Sequence, residues 1–207
     1  AAKNIHTLFG RRVVAIDAEE GAVTLDDGAV LPADTILLAT GGRARTLPIP
    51  GAELPGVHVL RDYADAVAIR ERARPGSGAV VVGAGLIGAE LASSLRRAGV
   101  EVTLIDPVAV PLTPAVGELM AAYLHEMHAG HGVDVVVGVT AAIEDAGGRL
   151  RVVVDGGPRI EADVVVIGVG IVPNTELAAA AGLDVDNGIL VDEQHRTSAE
   201  GVYAAGD

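Results

Sequence analysis

The sequence predicts an α/β fold built on a parallel sheet, and three observations carry that prediction. Half of the 207 residues are hydrophobic while only 2% are aromatic, a composition that suits short-chain apolar strands buried on both faces. Apolar runs of strand length recur between segments of helical length, which is the alternation of a βαβ arrangement. A glycine-rich turn joins one of those strands directly to an amphipathic helix, Gly83-Ala84-Gly85-Leu86-Ile87-Gly88.

Taken in chain order, residues 13–16 and 23–25 read as short strands, and Asp26-Asp27-Gly28 is a hairpin turn signal. A buried strand follows at 35–39. The stretch 41–56, holding Pro48, Pro50 and Pro55, reads as a linker or domain crossing. Asp62 is placed to cap a helix running to about Arg74. Then come a strand at 79–82, a helix at 86–97 and a strand at 101–105, one complete βαβ unit. Thr113-Pro114 opens a helix, with Thr113 as cap, that ends near Gly130 or Gly132. The pattern closes with a strand at 133–137, a three-stranded antiparallel meander at 140–144, 149–155 and 158–161, and a return to the parallel sheet at 164–169.

Composition also excludes function classes. A net charge of -13 and a pI near 4.7 repel phosphate backbones and anionic lipid surfaces. Four aromatics, Phe9, Tyr63, Tyr123 and Tyr203, leave little on which bases could stack, so neither nucleic acid nor a membrane is an expected partner. No cysteine is present, so these residues hold no disulfide and no redox-active dithiol. No apolar run reaches the roughly 18 residues of a membrane span. Ala1-Ala2-Lys3-Asn4 shows no leader pattern, and the cytoplasm is the expected location.

The chain contains an internal echo. Asp26, Gly28, Ala33, Asp34 and Gly41 match Asp155, Gly157, Ala162, Asp163 and Gly170, every pair separated by the same length of chain. Each copy predicts a hairpin, an Ala-Asp step, a buried apolar strand and a terminal glycine. The second copy is preceded by the glycine-rich turn at Gly83, whereas the same separation puts the first copy's turn before residue 1. A truncated segment of a longer protein is expected.

The glycine motif carries the chemistry. Gly83 allows a tight turn out of the strand, Gly85 lets a pyrophosphate approach the backbone, and Gly88 lets helix and strand pack closely. The amides of the first helical turn, at Leu86 and Ile87, face the phosphates at the positive end of the helix dipole. Asp106 ends the next strand of the βαβ unit, where a carboxylate accepts hydrogen bonds from the adenosine ribose. The context is that of a Rossmann-like dinucleotide fold. A 2′-phosphate beside Asp106 would cost on the order of 4 kcal/mol per charge pair at about 4 Å. The following Pro107-Val108-Ala109-Val110 supplies no cation, so NAD(H) is expected over NADP(H). Glu90, in the same first turns, either complements the helix dipole or reaches a nicotinamide ribose or carboxamide. His125, His128 and His131 read as a solvated helix end rather than a metal site.

Four blocks together, Ala39-Thr40-Gly41-Gly42, Gly83 to Glu90, Gly168 to Asn174, and Thr197-Ser198 through Ala204-Ala205-Gly206-Asp207, give a sequence that resembles the FAD-dependent pyridine-nucleotide reductases. The likeness is greatest to the NADH:ferredoxin, rubredoxin or putidaredoxin-type branch. The resemblance implies that Ala39, Thr40 and Gly41 lie along FAD and that Asp207 binds its ribitol. It implies that Gly168, Val169 and Gly170 line the NADH site, with Glu90 near the nicotinamide. The implied reaction is hydride transfer from NADH to flavin N5, then single electrons to a ferredoxin- or rubredoxin-like acceptor, with the flavin doing the chemistry and no catalytic side chain named.

The implied domains are a partial FAD-binding segment at 1–75, an NAD(H)-binding domain at 76–183, and a return segment of the FAD domain at 184–207. The segment alone is expected to bind NAD(H) weakly and FAD poorly or not at all. The NADH oxidase, peroxidase or coenzyme A-disulfide reductase branch is the competing enzyme reading, because its cysteine would lie outside these residues. Arg74-Pro75-Gly76-Ser77 stands where a thioredoxin reductase would carry C-x-x-C. A non-catalytic, NAD-binding redox sensor is the competing reading of another class, and Asp207 with 39–41 speaks against it.

Overall fold

The structure, a computed structural model, describes residues 4–207, so three of the four residues read for a leader lie outside it. The chain divides into two compact units, residues 1–43 with 172–207 and residues 44–171. The divisions differ from the sequence expectation of 75/76 and 183/184. The segment after residue 44 contributes a strand and a helix to the larger unit, which is why the contacts divide the chain before it.

The smaller unit begins with an antiparallel meander, β1 (Val13–Asp17), β2 (Ala22–Leu25) and β3 (Val30–Pro32). It leads into β4 (Ile36–Leu38), and the chain leaves the unit through β5 (Gly42–Ala44). In the larger unit, β6 (Val57–Val59) precedes helix α1 (Tyr63–Arg72). Asp62 caps α1 as expected: its Oδ1 accepts from the Asp65 amide at 2.9 Å, and Asp65 returns the bond by accepting from the Asp62 amide at 3.2 Å. The core follows: β7 (Gly78–Val82), α2 (Leu86–Arg97) and β8 (Glu101–Asp106). The helix expected from Thr113 onward is two pieces, α3 (Thr113–Val116) and α4 (Glu118–Gly130), because Gly117 at φ 78° interrupts it. Thr113 is not the cap; Leu112 holds that position, and the Thr113 hydroxyl donates to the Val110 carbonyl at 2.9 Å.

Next come β9 (Val133–Val137), the meander β10 (Thr140–Asp145), β11 (Leu150–Val154) and β12 (Arg159–Ala162), and β13 (Val164–Ile167). The parallel sheet has the order β6-β13-β7-β8-β9. Its central strands are apolar because both faces are covered. Val81, Leu104, Val164 and Val166 point into a cluster with Ile69, Ala92 and Leu95 of the helices. Their neighbours Val80, Val82, Ile105, Val165 and Ile167 point into a cluster with Ile143, Val152 and Val154 of the meander. The period of two along each strand thus separates a helical layer from a meander layer. The chain returns to the smaller unit through β14 (Ile171–Pro173) and continues as α5 (Glu176–Ala180), β15 (Val185–Asp186), β16 (Gly188–Ile189) and β17 (Val202–Ala204), which pairs parallel with β4.

The echo is structural as well as sequential. At matching positions of the two copies, Gly28 N–H donates to the Leu25 carbonyl and Gly157 N–H to the Val154 carbonyl, both at 3.0 Å. Both meanders also slip register at their outer edge, between Val13 and Ala15 and between Thr140 and Ala142. Each meander feeds a parallel strand, β4 or β13.

The histidine-rich end of α4 departs from expectation. His128 is buried rather than solvated, and burial, with His125 and His131 adding to it, holds its pKa below the ordinary 6.5. Among the described residues no group of three or more His, Cys, Asp or Glu is placed to hold a metal ion. No described helix is long and apolar enough to cross a membrane.

Replacing Asp62 by Ala removes one half of a capping box and should cost about 1 kcal/mol of stability in urea denaturation. The unfolded chain protonates His128 more readily than the folded one does. The resulting stability is complete above pH 6.5 and declines as pH falls through the depressed folded value. Thermal unfolding on either side of that window, at about pH 7.5 and about pH 5.5, should show the loss, and His128→Gln should reduce the difference.

A nucleotide-sized cleft at the glycine turn

The glycine turn sits at the carboxyl end of β7, the edge at which open parallel sheets bind ligands. Gly83, at φ 99°, donates its N–H to the Ile105 carbonyl at 2.7 Å, and a Cβ there would lie 2.6 Å from the Gly168 carbonyl oxygen. A Cβ on Gly88 would overlap the Gly83 carbonyl. Both glycines are therefore demanded by the protein's own packing.

Gly85 is different. Its φ is -67°, which any residue adopts, and nothing lies within 4 Å of where its Cβ would be. It caps α2 without a side-chain hydrogen bond, so the first-turn amides at Leu86 and Ile87 have no capping side chain as acceptor. Leu86 itself is exposed and Gly88 buried.

Asp106 closes the other side. Its Oδ2 accepts from the Ala84 amide at 2.8 Å, and its Oδ1 accepts from the Val108 amide at 2.9 Å. The carboxylate is thus fastened to the turn itself, a contact absent from the sequence reading, which assigns Asp106 to a ribose. A carboxylate has about four lone-pair sites, so two bonds to the backbone leave room for ribose hydroxyls. Gly83, Gly85 and Asp106 line a cleft of about 440 Å³ together with Gly168, Val169 and Gly170 from the end of β13. Among the described residues the lining includes no Lys or Arg, so nothing there would offset a 2′-phosphate. Glu90 is exposed on α2 and is not among the lining residues.

The smaller unit carries its own cleft, of about 290 Å³, lined by Thr40, Gly41 and Asp207 along with Leu38, Asn174 and His195. Ala39 is exposed beside it and does not line it. Thr40 and Asn174 bond reciprocally: the Thr40 hydroxyl donates to the Asn174 carbonyl at 2.7 Å, and Asn174 Nδ2 donates to the Thr40 carbonyl at 2.9 Å. Arg43 donates to both Asn174 Oδ1 and Glu176. The exposed Glu176 carboxyl is held below its ordinary pKa first by its own backbone amide and then by Arg43. The sequence reading includes Asn174 only as part of a block and misses its role in fixing Thr40. It also misses His195; a φ of 61°, uncommon for a residue with a side chain, is the feature that sets that residue apart.

Comparison with known proteins follows the same pattern. The family described as pyridine nucleotide-disulphide oxidoreductase matches residues 1–207. Rhodocoxin reductase of Rhodococcus erythropolis is 43% identical over 200 residues, covering 96% of this chain and 47% of that protein. The ferredoxin–NAD(+) reductase component of an anthranilate 1,2-dioxygenase system from Burkholderia cepacia is 43% identical over 207 residues, covering 100% of this chain and 51% of that protein. Among solved structures, putidaredoxin reductase in its covalent complex with putidaredoxin superposes with a TM-score of 0.86 at 36% identity, over 96% of this chain and 49% of that one. The chain spans about half the length of the curated relatives it matches. By sequence and fold, the chain belongs to the pyridine nucleotide-disulphide oxidoreductase family.

Proposed function

We propose that residues 44–171 bind NAD(H) at the glycine turn, within a flavoprotein reductase that passes electrons from NADH through FAD to a ferredoxin-type iron–sulfur protein. The observation that carries the reading is Gly85. The fold needs no glycine there, since its dihedral is ordinary and the space around its missing Cβ is empty. A pyrophosphate seated against the backbone does need one. The α2 amides and dipole then meet the phosphate charge, and Asp106 takes the adenosine ribose while repelling a 2′-phosphate.

The smaller unit's cleft has chemistry for one part of FAD, the ribitol that the resemblance assigns to Asp207. Thr40, Gly41 and Asp207 line it, and the Asn174 bonds hold Thr40 in place. Bound together, the two cofactors would supply hydride transfer from the nicotinamide and single-electron release from the flavin. This chain's residues bind and orient; none is assigned a proton-transfer role. The relatives' names support the acceptor class, since they include ferredoxin and rhodocoxin reductases and a reductase–putidaredoxin complex.

Gly85→Val tests the reading. The variant should keep its folding stability within about 1 kcal/mol yet lose more than about tenfold in NADH affinity, measured by NADH fluorescence titration. Unchanged affinity would remove the pyrophosphate from this turn. Asp106→Asn keeps one acceptor for the Ala84 amide but removes the charge. It should narrow the preference for NADH over NADPH by at least about tenfold, read as the ratio of the two dissociation constants.

A further inference from the structure

Two buried side-chain polar atoms among the described residues have no hydrogen-bond partner, His58 Nε2 and Thr140 Oγ1. Thr140 is only 7% exposed, and it lines the cleft that holds Gly85 and Asp106. An unpaired buried hydroxyl destabilises a protein unless something else satisfies it.

The fold itself does not ask for this hydroxyl. In the echoed meander of the smaller unit, the residue at the same place beside the register slip is Val13. It pairs with Leu25 as Thr140 pairs with Val154, and Leu25 and Val154 are counterparts in the echo. Valine has the shape of threonine without the oxygen, so the meander can be built with an apolar residue there. Bulges of this kind re-aim side chains next to binding sites.

The surroundings identify the class of ligand group. Thr140 follows Gly138, whose N–H donates to the Asp106 carbonyl at 2.9 Å, so it stands at the Asp106 end of the cleft. Val108 and Val139, which line the same end, are 56% and 57% exposed. Two exposed valines and Pro111 give the lining apolar surface suited to a flat ring, and Thr140 adds a single hydroxyl to the same lining for a directional contact.

The geometry points to Thr140 as a specificity contact for the purine base of a bound dinucleotide, its hydroxyl paired only when the base is in place. The inference rests on the NAD(H) reading above. A strand threonine has three staggered χ1 positions, so the hydroxyl can turn toward the base without movement of the backbone. The penalty of the unpaired hydroxyl in the ligand-free protein becomes selectivity for a ring with a polar edge.

The test is Thr140→Val in this chain, with Thr140→Ser as its partner. Dissociation constants for NADH and for ADP-ribose, which keeps the adenosine half and lacks nicotinamide, should both rise about tenfold in Thr140→Val. Ligand-free Thr140→Val should melt no lower than the unaltered chain, and up to roughly 3 °C higher. Thr140→Ser should bind within about threefold of the unaltered chain. Binding of both ligands by Thr140→Val at unaltered strength overturns this inference and leaves the NAD(H) reading standing. A joint fall in melting temperature and affinity also overturns it, because that is the mark of a packing role. If the unaltered chain binds neither ligand, both readings fail together.

Discussion

The hydrogen bond from the Ala84 amide to the Asp106 carboxylate is the contact on which the rest of the cleft depends. It joins the second residue of the glycine turn to the last residue of the neighbouring strand. With one contact it ties the turn to the end of β8 and sets the position of the one charged side chain that lines the cleft among the described residues. The same carboxylate ties down Val108 on the outgoing loop, so the loop wall and the turn are set by one group.

That contact is possible because the sheet beneath it is rigid. β7 and β8 run parallel in register from Gly78 and Glu101 to Val82 and Ile105, with helices packed on one face and the meander on the other. A turn held at the end of such a strand has little freedom, and Gly83 and Gly88 remove what remains by bringing backbone against backbone. Gly85 alone of the three is left open. Two glycines of the motif are taken up by packing and the third is left open, and it is this opening that the proposed function fills with a diphosphate.

Much of this is legible in sequence. The βαβ unit, the α2 limits, the Asp62 cap and the meander follow from apolar periodicity and turn chemistry, and the echo at a fixed separation anticipates two hairpins with the same hydrogen bonds. The break at Gly117 is invisible because a single glycine inside an apolar period does not announce a left-handed dihedral. The compact-unit boundary at residue 44 is not legible because β6 (Val57–Val59) is too short for its period to register among prolines. Asp106 does end β8, but its backbone partners are not foreseeable, since a sequence does not reveal which amide a carboxylate will face. Thr140 leaves no signal beyond its place after Gly138. Its significance lies in an unmet hydrogen bond, which exists only once the strands are packed.

The central claim concerns where a diphosphate sits, and a crystal structure of this chain with NADH bound measures that directly. The account predicts the pyrophosphate against Gly85 within hydrogen-bond reach of the first-turn amides of α2, and a ribose hydroxyl on Asp106. A dinucleotide lodged elsewhere, or one whose phosphates avoid that turn while Asp106 keeps only its backbone partners, would contradict it.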